Sequence, residues 1–219
     1  FKIPYIASSK AALDNESDKS RAKKIMQKNN IRTADFFITN PGEYLKESSI
    51  PIKFPLFIKP ITGGDSRGIN KNSLVFNFED FTAKVLDIKL KQNSPSLVET
   101  YLAGKEYSVG IFEDSTDGSL RAMPIEIIVK KNIDGHCILD FDVKKNDEEE
   151  VILVTDTKIF DKLSQLAKNS FTNFSSDKSC PFCKSNSKTS YFFFKWDFKE
   201  TPTRPSEPVI IIFSNLFSK

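Results

Sequence analysis

The chain has 219 residues, 39% hydrophobic and 28% charged, with 32 basic and 29 acidic side chains and a net charge of +3. That is enough apolar side chain for a sizeable core, which excludes a disordered polypeptide, and too weak a positive field to predict nucleic-acid binding. The longest apolar run, Val209 to Phe213, falls far below the ~20 residues of a membrane-spanning helix, and three Cys make no disulfide framework.

The chain opens Phe1-Lys2-Ile3-Pro4, with no initiator Met and no signal-peptide pattern, so the expectation is a cytoplasmic protein, away from membranes, cut from something longer. Ser17 or Asp18 can cap a basic helix from Lys19 to about Lys28, with Ala22, Ile25 and Met26 inward and Asn29-Asn30 as the stop. Phe36 to Thr39 reads as a strand, Asn40-Pro41-Gly42 as a turn, and Phe54 to Lys59 as a second strand closed by Pro60. A flexible loop, Thr62 to Gly68, separates it from a strand at Ser73 to Phe76. Asn77 then starts a helix whose Phe81, Val85, Ile88 and Leu90 give it an apolar side to about Gln92. Ser96 to Thr100, Lys105 to Phe112 and Leu120 to Val129 are strands, the last flanked by hairpin turns at Asp117-Gly118 and Asp134-Gly135. Val151 to Val154 adds another, and Thr155 or Asp156 caps a helix carrying Ile159, Leu163, Leu166, Ala167, Phe171 and Phe174 at helical spacing. From Ser175 the chain turns to Ser and Phe without Gly, and only Val209 to Phe213 reads as a strand.

Two segments carry chemistry. In Phe57-Ile58-Lys59-Pro60-Ile61-Thr62-Gly63-Gly64-Asp65-Ser66-Arg67-Gly68-Ile69, a strand ends in Lys and runs into a small-residue loop. Such a loop can aim an ammonium and several backbone N–H groups at phosphate oxygens. It is no P-loop, since no Gly-Lys-Ser/Thr triplet closes it, and a solvated turn with a surface Lys reads equally well on this segment alone. In Leu97-Val98-Glu99-Thr100-Tyr101-Leu102-Ala103-Gly104-Lys105-Glu106-Tyr107-Ser108-Val109, Glu99 and Glu106 flank a short turn where backbone groups could read an adenine edge and a carboxylate could take ribose hydroxyls. Alone it is an ordinary hairpin. The ordered combination with the lysine–glycine loop and with Asp18-Lys19 is specific.

This combination resembles the ATP-grasp enzymes, and within them the D-alanine to D-alanine ligases, over roughly residues 1 to 174. Ile3-Pro4-Tyr5-Ile6-Ala7-Ser8 is similar to the junction out of that family's N-terminal domain. The resemblance implies an α/β (α+β) ATP-grasp fold with mixed and antiparallel sheets: a junction remnant at 1–17, a small lobe at 18–103, the first part of a large lobe at 104–174, and a divergent tail at 175–219. It implies that Lys19 and Lys59 hold ATP phosphates, that Glu99, Thr100, Tyr101 and Leu102 face the adenine, and that Glu106 binds the ribose. Gly63, Gly64, Ser66 and Gly68 would fold over the triphosphate, with Asp65 and Ser66 as catalytic residues. Its cofactors would be ATP and Mg, its small-molecule substrates ATP and D-alanine or a similar amino acid, and its assembly a homodimer.

The sequence departs from the family's pattern at two places. Asp65-Ser66 stands where these ligases commonly place two serines, and a carboxylate beside polyphosphate repels it unless a metal or Arg67 offsets the charge. The Arg-x-Asp and Glu-x-Asn strands that would hold Mg are not found, so no metal ligand is assigned, and the tail reads as a broken end. The expected activity is ADP-forming ligation through an acyl phosphate, supplying peptidoglycan synthesis and impaired in this chain. The alternatives are an inactive ATP-binding remnant and an ATP-grasp ligase for another amino acid or peptide. Cys180-Pro181-Phe182-Cys183 lacks partners for a four-ligand zinc site and reads as two incidental thiols, and the acidic run Asp147 to Glu150 reads as a solvated turn.

Overall fold

The computed structural model describes residues 17–64, 66–114, 116–129, 132–133, 135–176, 194–198 and 209–211. Asp18 opens helix α1 (Lys19–Lys28), its carboxylate accepting from the backbone N–H groups of Ser20 and Arg21. Two donors that the first turn would leave unpaired are thereby satisfied. Strands β1 (Phe36–Thr39), β2 (Leu56–Pro60) and β3 (Leu74–Val75), helix α2 (Phe78–Gln92) and strand β4 (Ser96–Thr100) follow. The four strands form an antiparallel sheet in the order β1-β4-β2-β3. Helix α2 covers one face, burying Phe81, Val85 and Ile88 against Leu56, Ile58, Val75 and Val98. Asn77 caps α2 through its side chain, and Asn93, in the left-handed region at φ 48°, ends it.

The second sheet is built from β5 (Lys105–Glu113), β6 (Leu120–Val129), β9 (Glu149–Leu153), β10 (Phe194–Phe198) and β11 (Val209–Ile211). Their order is β11-β10-β5-β6-β9, again with every pair antiparallel. Between β6 and β9 lie a small hairpin, β7 (Asn132–Ile133) with β8 (His136–Cys137), and a short helix α3 (Phe141–Lys145). Helix α4 (Thr157–Ser176), capped by Asp156, lies against the sheet. One core unites Ala22, Met26 and Ile31 with Tyr107, Val109 and Ile111 of β5 and Leu163 and Ala167 of α4. Helix α1 precedes the first sheet in sequence, yet it packs with the second.

The α/β expectation holds, with all described strand pairs antiparallel. The tail differs from its reading as a broken end with one strand. β10 pairs with β5 over Phe194↔Val109 to Phe198↔Lys105 and lies between β5 and β11. The period-2 alternation begins at Phe194, as Phe-Lys-Trp-Asp-Phe, and is hidden when the preceding Tyr191 to Phe193 is read into the same run. The acidic run also differs, since Glu149 and Glu150 belong to β9. Ile3 to Ser8, Asp65 and Cys180 to Cys183 lie outside the described residues.

Candidate functional site

Helix α1 is stitched to the glycine-rich loop at its first turn. The Lys19 backbone N–H donates to the Ile61 carbonyl at 3.0 Å, and Asp18 bridges Thr62. This places the Lys19 ammonium at the loop, where it donates to the Gly63 carbonyl at 2.6 Å. Gly63 has φ +91°, and a Cβ built there would meet nothing within 4 Å; the backbone is open on that side, as a cradle for a ligand needs. The loop then turns tightly, with Arg67 N–H donating to the Gly64 carbonyl at 3.1 Å and Ile69 N–H to that of Ser66 at 2.9 Å.

The far end of the loop is held from α2. Lys84 donates to the Gly68 carbonyl at 2.9 Å and to Asn70 Oδ1 at 3.0 Å. Burial pushes the Lys84 pKa below the usual lysine range, against the opposing pull of Asp87. Ser66, expected to act on phosphate, is buried at φ 54°, and its hydroxyl donates to the Leu139 carbonyl at 3.3 Å. In this arrangement Ser66 ties the loop to the segment before α3.

Beneath the loop lies a cluster of buried charge. Adjacent strands β2 and β4 bring Lys59 Nζ to 2.5 Å from Glu99 Oε2, and α1 brings Lys23 Nζ to 2.6 Å from Glu99 Oε1. Lys23 and Lys59 are each 1% exposed and Glu99 3%. Burial alone would raise the Glu99 pKa, but the Lys23 and Lys59 ammoniums overcome it and hold the carboxyl down at about 2. Lys23 also donates to Thr33 Oγ1 at 2.5 Å and lies 5.0 Å from the centre of the Phe36 ring. Glu99, expected to face an adenine, thus has both oxygens on lysines. Lys23 went unnoticed in the sequence, although its place four residues after Lys19 puts both on one face of α1.

The connection from β4 to β5 forms the hinge. Thr100 N–H donates to the Asp35 carbonyl at 3.0 Å and Tyr101 N–H to that of Pro55 at 3.2 Å. The Tyr101 ring meets His136 edge-on, with centroids 5.2 Å apart, and its hydroxyl donates to the Cys137 carbonyl at 3.5 Å. The hinge therefore touches the β7–β8 hairpin, and Leu102 within it is half-buried. Glu106 is half-buried on β5, in register with Ile127 on one side and Asp197 on the other. Among the described residues no group of three or more His, Cys, Asp or Glu could hold a metal ion, so the Mg implied by the resemblance finds no fitting ligand set there. No described helix is long and apolar enough to cross a membrane.

Known proteins share this architecture. The family described as D-ala D-ala ligase C-terminus matches residues 24–180, more than half of the chain. The D-alanine–D-alanine ligase of Actinobacillus pleuropneumoniae serotype 5b is 32% identical over 124 residues, covering 56% of this chain and 40% of the relative. That of Leptospira interrogans is 31% identical over 150 residues, covering 65% and 40%. The matched stretch is thus well under half the length of these relatives. The crystal structure of the D-alanine–D-alanine ligase from Bacillus anthracis complexed with ATP superposes with a TM-score of 0.60 at 21% identity, covering 98% of this chain and 60% of that one. At that identity the match carries the fold, which is ATP-grasp. With the family match spanning the lysine–glycine loop, Lys59, Glu99 and the hinge, the chain belongs to the D-ala D-ala ligase C-terminus family.

Proposed function

We propose that this chain is the nucleotide-binding portion of an ATP-dependent carboxylate–amine ligase of the D-alanine to D-alanine type. The observation that carries the reading is the convergence of Lys19 on the loop, with its ammonium 2.6 Å from the Gly63 carbonyl and open space over Gly63. A phosphate entering there meets an ammonium already held in place and backbone of a loop fixed at both ends, so little ordering remains to be done on binding. Lys59 would approach the same phosphates from β2, Thr100 to Leu102 would offer backbone groups to the adenine, and Glu106 would take the ribose. In the reaction the γ-phosphoryl group passes to a carboxylate oxygen of one D-alanine and ADP leaves. The amine of the second attacks the acyl carbon, and the tetrahedral intermediate expels phosphate to leave the dipeptide. The chain's residues contribute by placement and charge neutralisation.

The reading extends to a cytoplasmic, homodimeric enzyme that makes a peptidoglycan precursor, as the family resemblance implies. Titration of the 219-residue chain with ATP tests its first half, and D-alanine-dependent phosphate release tests the second. Absence of heat and of thermal shift at millimolar ATP would overturn the nucleotide site. A second reading, nucleotide binding without turnover, is favoured by the lack of a metal-holding group among the described residues. ATP binding with no D-alanine-dependent phosphate release would select it.

A further inference from the structure

We propose that Lys84 is a positioning residue for the glycine-rich loop: from the buried side of α2 its ammonium fixes the peptides at the loop's exit, so that a triphosphate meets the loop already in its binding shape. This inference rests on the nucleotide-binding reading above. The buried residues of α2 are Phe81, Lys84, Val85 and Ile88, the inward stripe of an amphipathic helix with a lysine where an apolar side chain belongs. Lys84 is 3% exposed, and an ammonium so placed costs the fold stability that an apolar side chain of similar length would not. Ion pairing offsets little of that cost, since Asp87 Oδ2 lies 3.8 Å away while Oδ1 of the same carboxylate takes Lys91 Nζ at 2.7 Å. The short contacts of Lys84 run to the loop instead, to the Gly68 carbonyl at 2.9 Å and to Asn70 Oδ1 at 3.0 Å.

Those two acceptors govern the shape of the exit. Gly68 packs so closely on β2 that a Cβ there would stand 2.6 Å from Pro60 Cγ, and Lys84 holds its carbonyl. The planar peptide that carries the Gly68 carbonyl also carries the Ile69 N–H, which donates to the Ser66 carbonyl at 2.9 Å and closes the turn. Within that turn Ser66 has φ 54°, a left-handed conformation that a residue other than glycine keeps only where its surroundings enforce it. Asn70 caps the helical turn Lys71–Ser73, its Oδ1 also accepting from the Asn72 N–H at 3.1 Å. Lys84 therefore ties both halves of the exit to α2. Beside these groups lies a cavity of about 530 Å³ whose lining includes Asn70, Lys84 and Asp87. Water entering from it can hydrate the two acceptors but cannot tie them to the helix, so loss of Lys84 loosens the loop and leaves the lobe folded.

The test compares the full wild-type chain with Lys84→Met and Lys84→Arg, by amide hydrogen exchange without ligand and by calorimetric titration with ATP. In Lys84→Met, residues 66–70 are expected to exchange about fivefold or more faster than in wild type, while β5 and β6 change by less than about twofold. ATP affinity should fall about fivefold or more in the same variant, the size of a lost charge-assisted contact. Lys84→Arg keeps the charge and the donors, with the cavity to take its larger head, and should bind ATP within about twofold of wild type. Unchanged exchange at 66–70 in Lys84→Met overturns the proposal, as does faster exchange there with unchanged ATP affinity. Exchange that quickens equally throughout the chain also overturns it, leaving Lys84 a role in global stability alone, and so does a loss of ATP affinity in Lys84→Arg as large as in Lys84→Met. If Lys84→Met does not fold, Lys84→Gln takes its place with the same expectations and the same overturning results, because its shorter neutral side chain cannot span both acceptors. A wild-type chain that binds no ATP defeats the nucleotide-binding reading, and the proposal falls with it whatever the ligand-free exchange shows.

Discussion

Glu99 is a carboxylate that the fold keeps ionised at a buried site. Its pKa stands at about 2 against an ordinary 4.5, because Lys23 and Lys59 outweigh the burial that would raise it. A carboxyl depressed on folding stabilises the native state at pH above its unfolded value and loses that contribution as pH falls through the folded one. The window here runs from about 4.5 down to about 2. Denaturant midpoints measured from pH 6 to pH 2.5 should fall more steeply for wild type than for Glu99→Gln, and parallel curves would contradict the assignment. Two glycines separate backbone strain from crowding at the same scale. Gly63 and Gly68 have φ of +91° and +77°, but a Cβ at Gly68 would lie 2.6 Å from Pro60 Cγ, whereas at Gly63 it meets nothing. Gly63→Ala should cost about 1–2 kcal/mol, the strain of a left-handed residue. Gly68→Ala should cost a further 1–3 kcal/mol, roughly, from overpacking against the rigid proline ring. Equal unfolding free energies for the two variants would show that the proline moves aside freely.

At the scale of elements, the start of α1 is both a helix cap and a clamp on the loop. Asp18 accepts from Ser20 and Arg21 N–H groups while its backbone bridges Thr62. Asp18→Ala should cost about 1 kcal/mol of stability, as loss of a cap does, and weaken ATP binding through the freed Lys19. Unchanged ATP affinity alongside the lost stability would confine the cap to a folding role. Elements with strong local signals were legible beforehand: α1 and α2 through their caps and apolar faces, and β1 and β6 through their flanking turns. Among site residues, Lys19 and the loop were singled out through the family resemblance, and the structure brings the Lys19 ammonium to the Gly63 carbonyl. What was not legible depends on contacts distant in sequence. Nothing local to Lys23 announces Glu99, which lies on β4, and nothing in the loop announces that Ser66 would turn inward to Leu139. Strand β10 carried a signal, its alternating Phe194 to Phe198, masked by the aromatic run ahead of it. It follows α4 where the resemblance calls for an Arg-x-Asp strand, and it reads Lys195-Trp196-Asp197.

The whole molecule joins two sheets through α1, whose Ala22 and Met26 pack under β5 while Lys19 and Lys23 reach the loop and β4. Strand β9 pairs with β6 and stands at the end of the strand order, yet Val151 and Leu153 are 56% and 66% exposed and Ile152 is 38% exposed. Among the described residues no strand pairs with the outer side of β9, and an edge strand with apolar side chains on both faces is a template for another chain, ordinarily blunted by charge or proline. Here the charge, Glu149 and Glu150, is confined to the start of the strand. The chain should therefore self-associate through this edge as concentration rises. Leu153→Lys should reduce the association in light scattering, while changing unfolding stability by no more than about 0.5 kcal/mol, as expected for an exposed side chain. Scattering unchanged in Leu153→Lys and in Val151→Lys would place the contact elsewhere. A large loss of stability in either variant would mean that the edge is covered within the monomer.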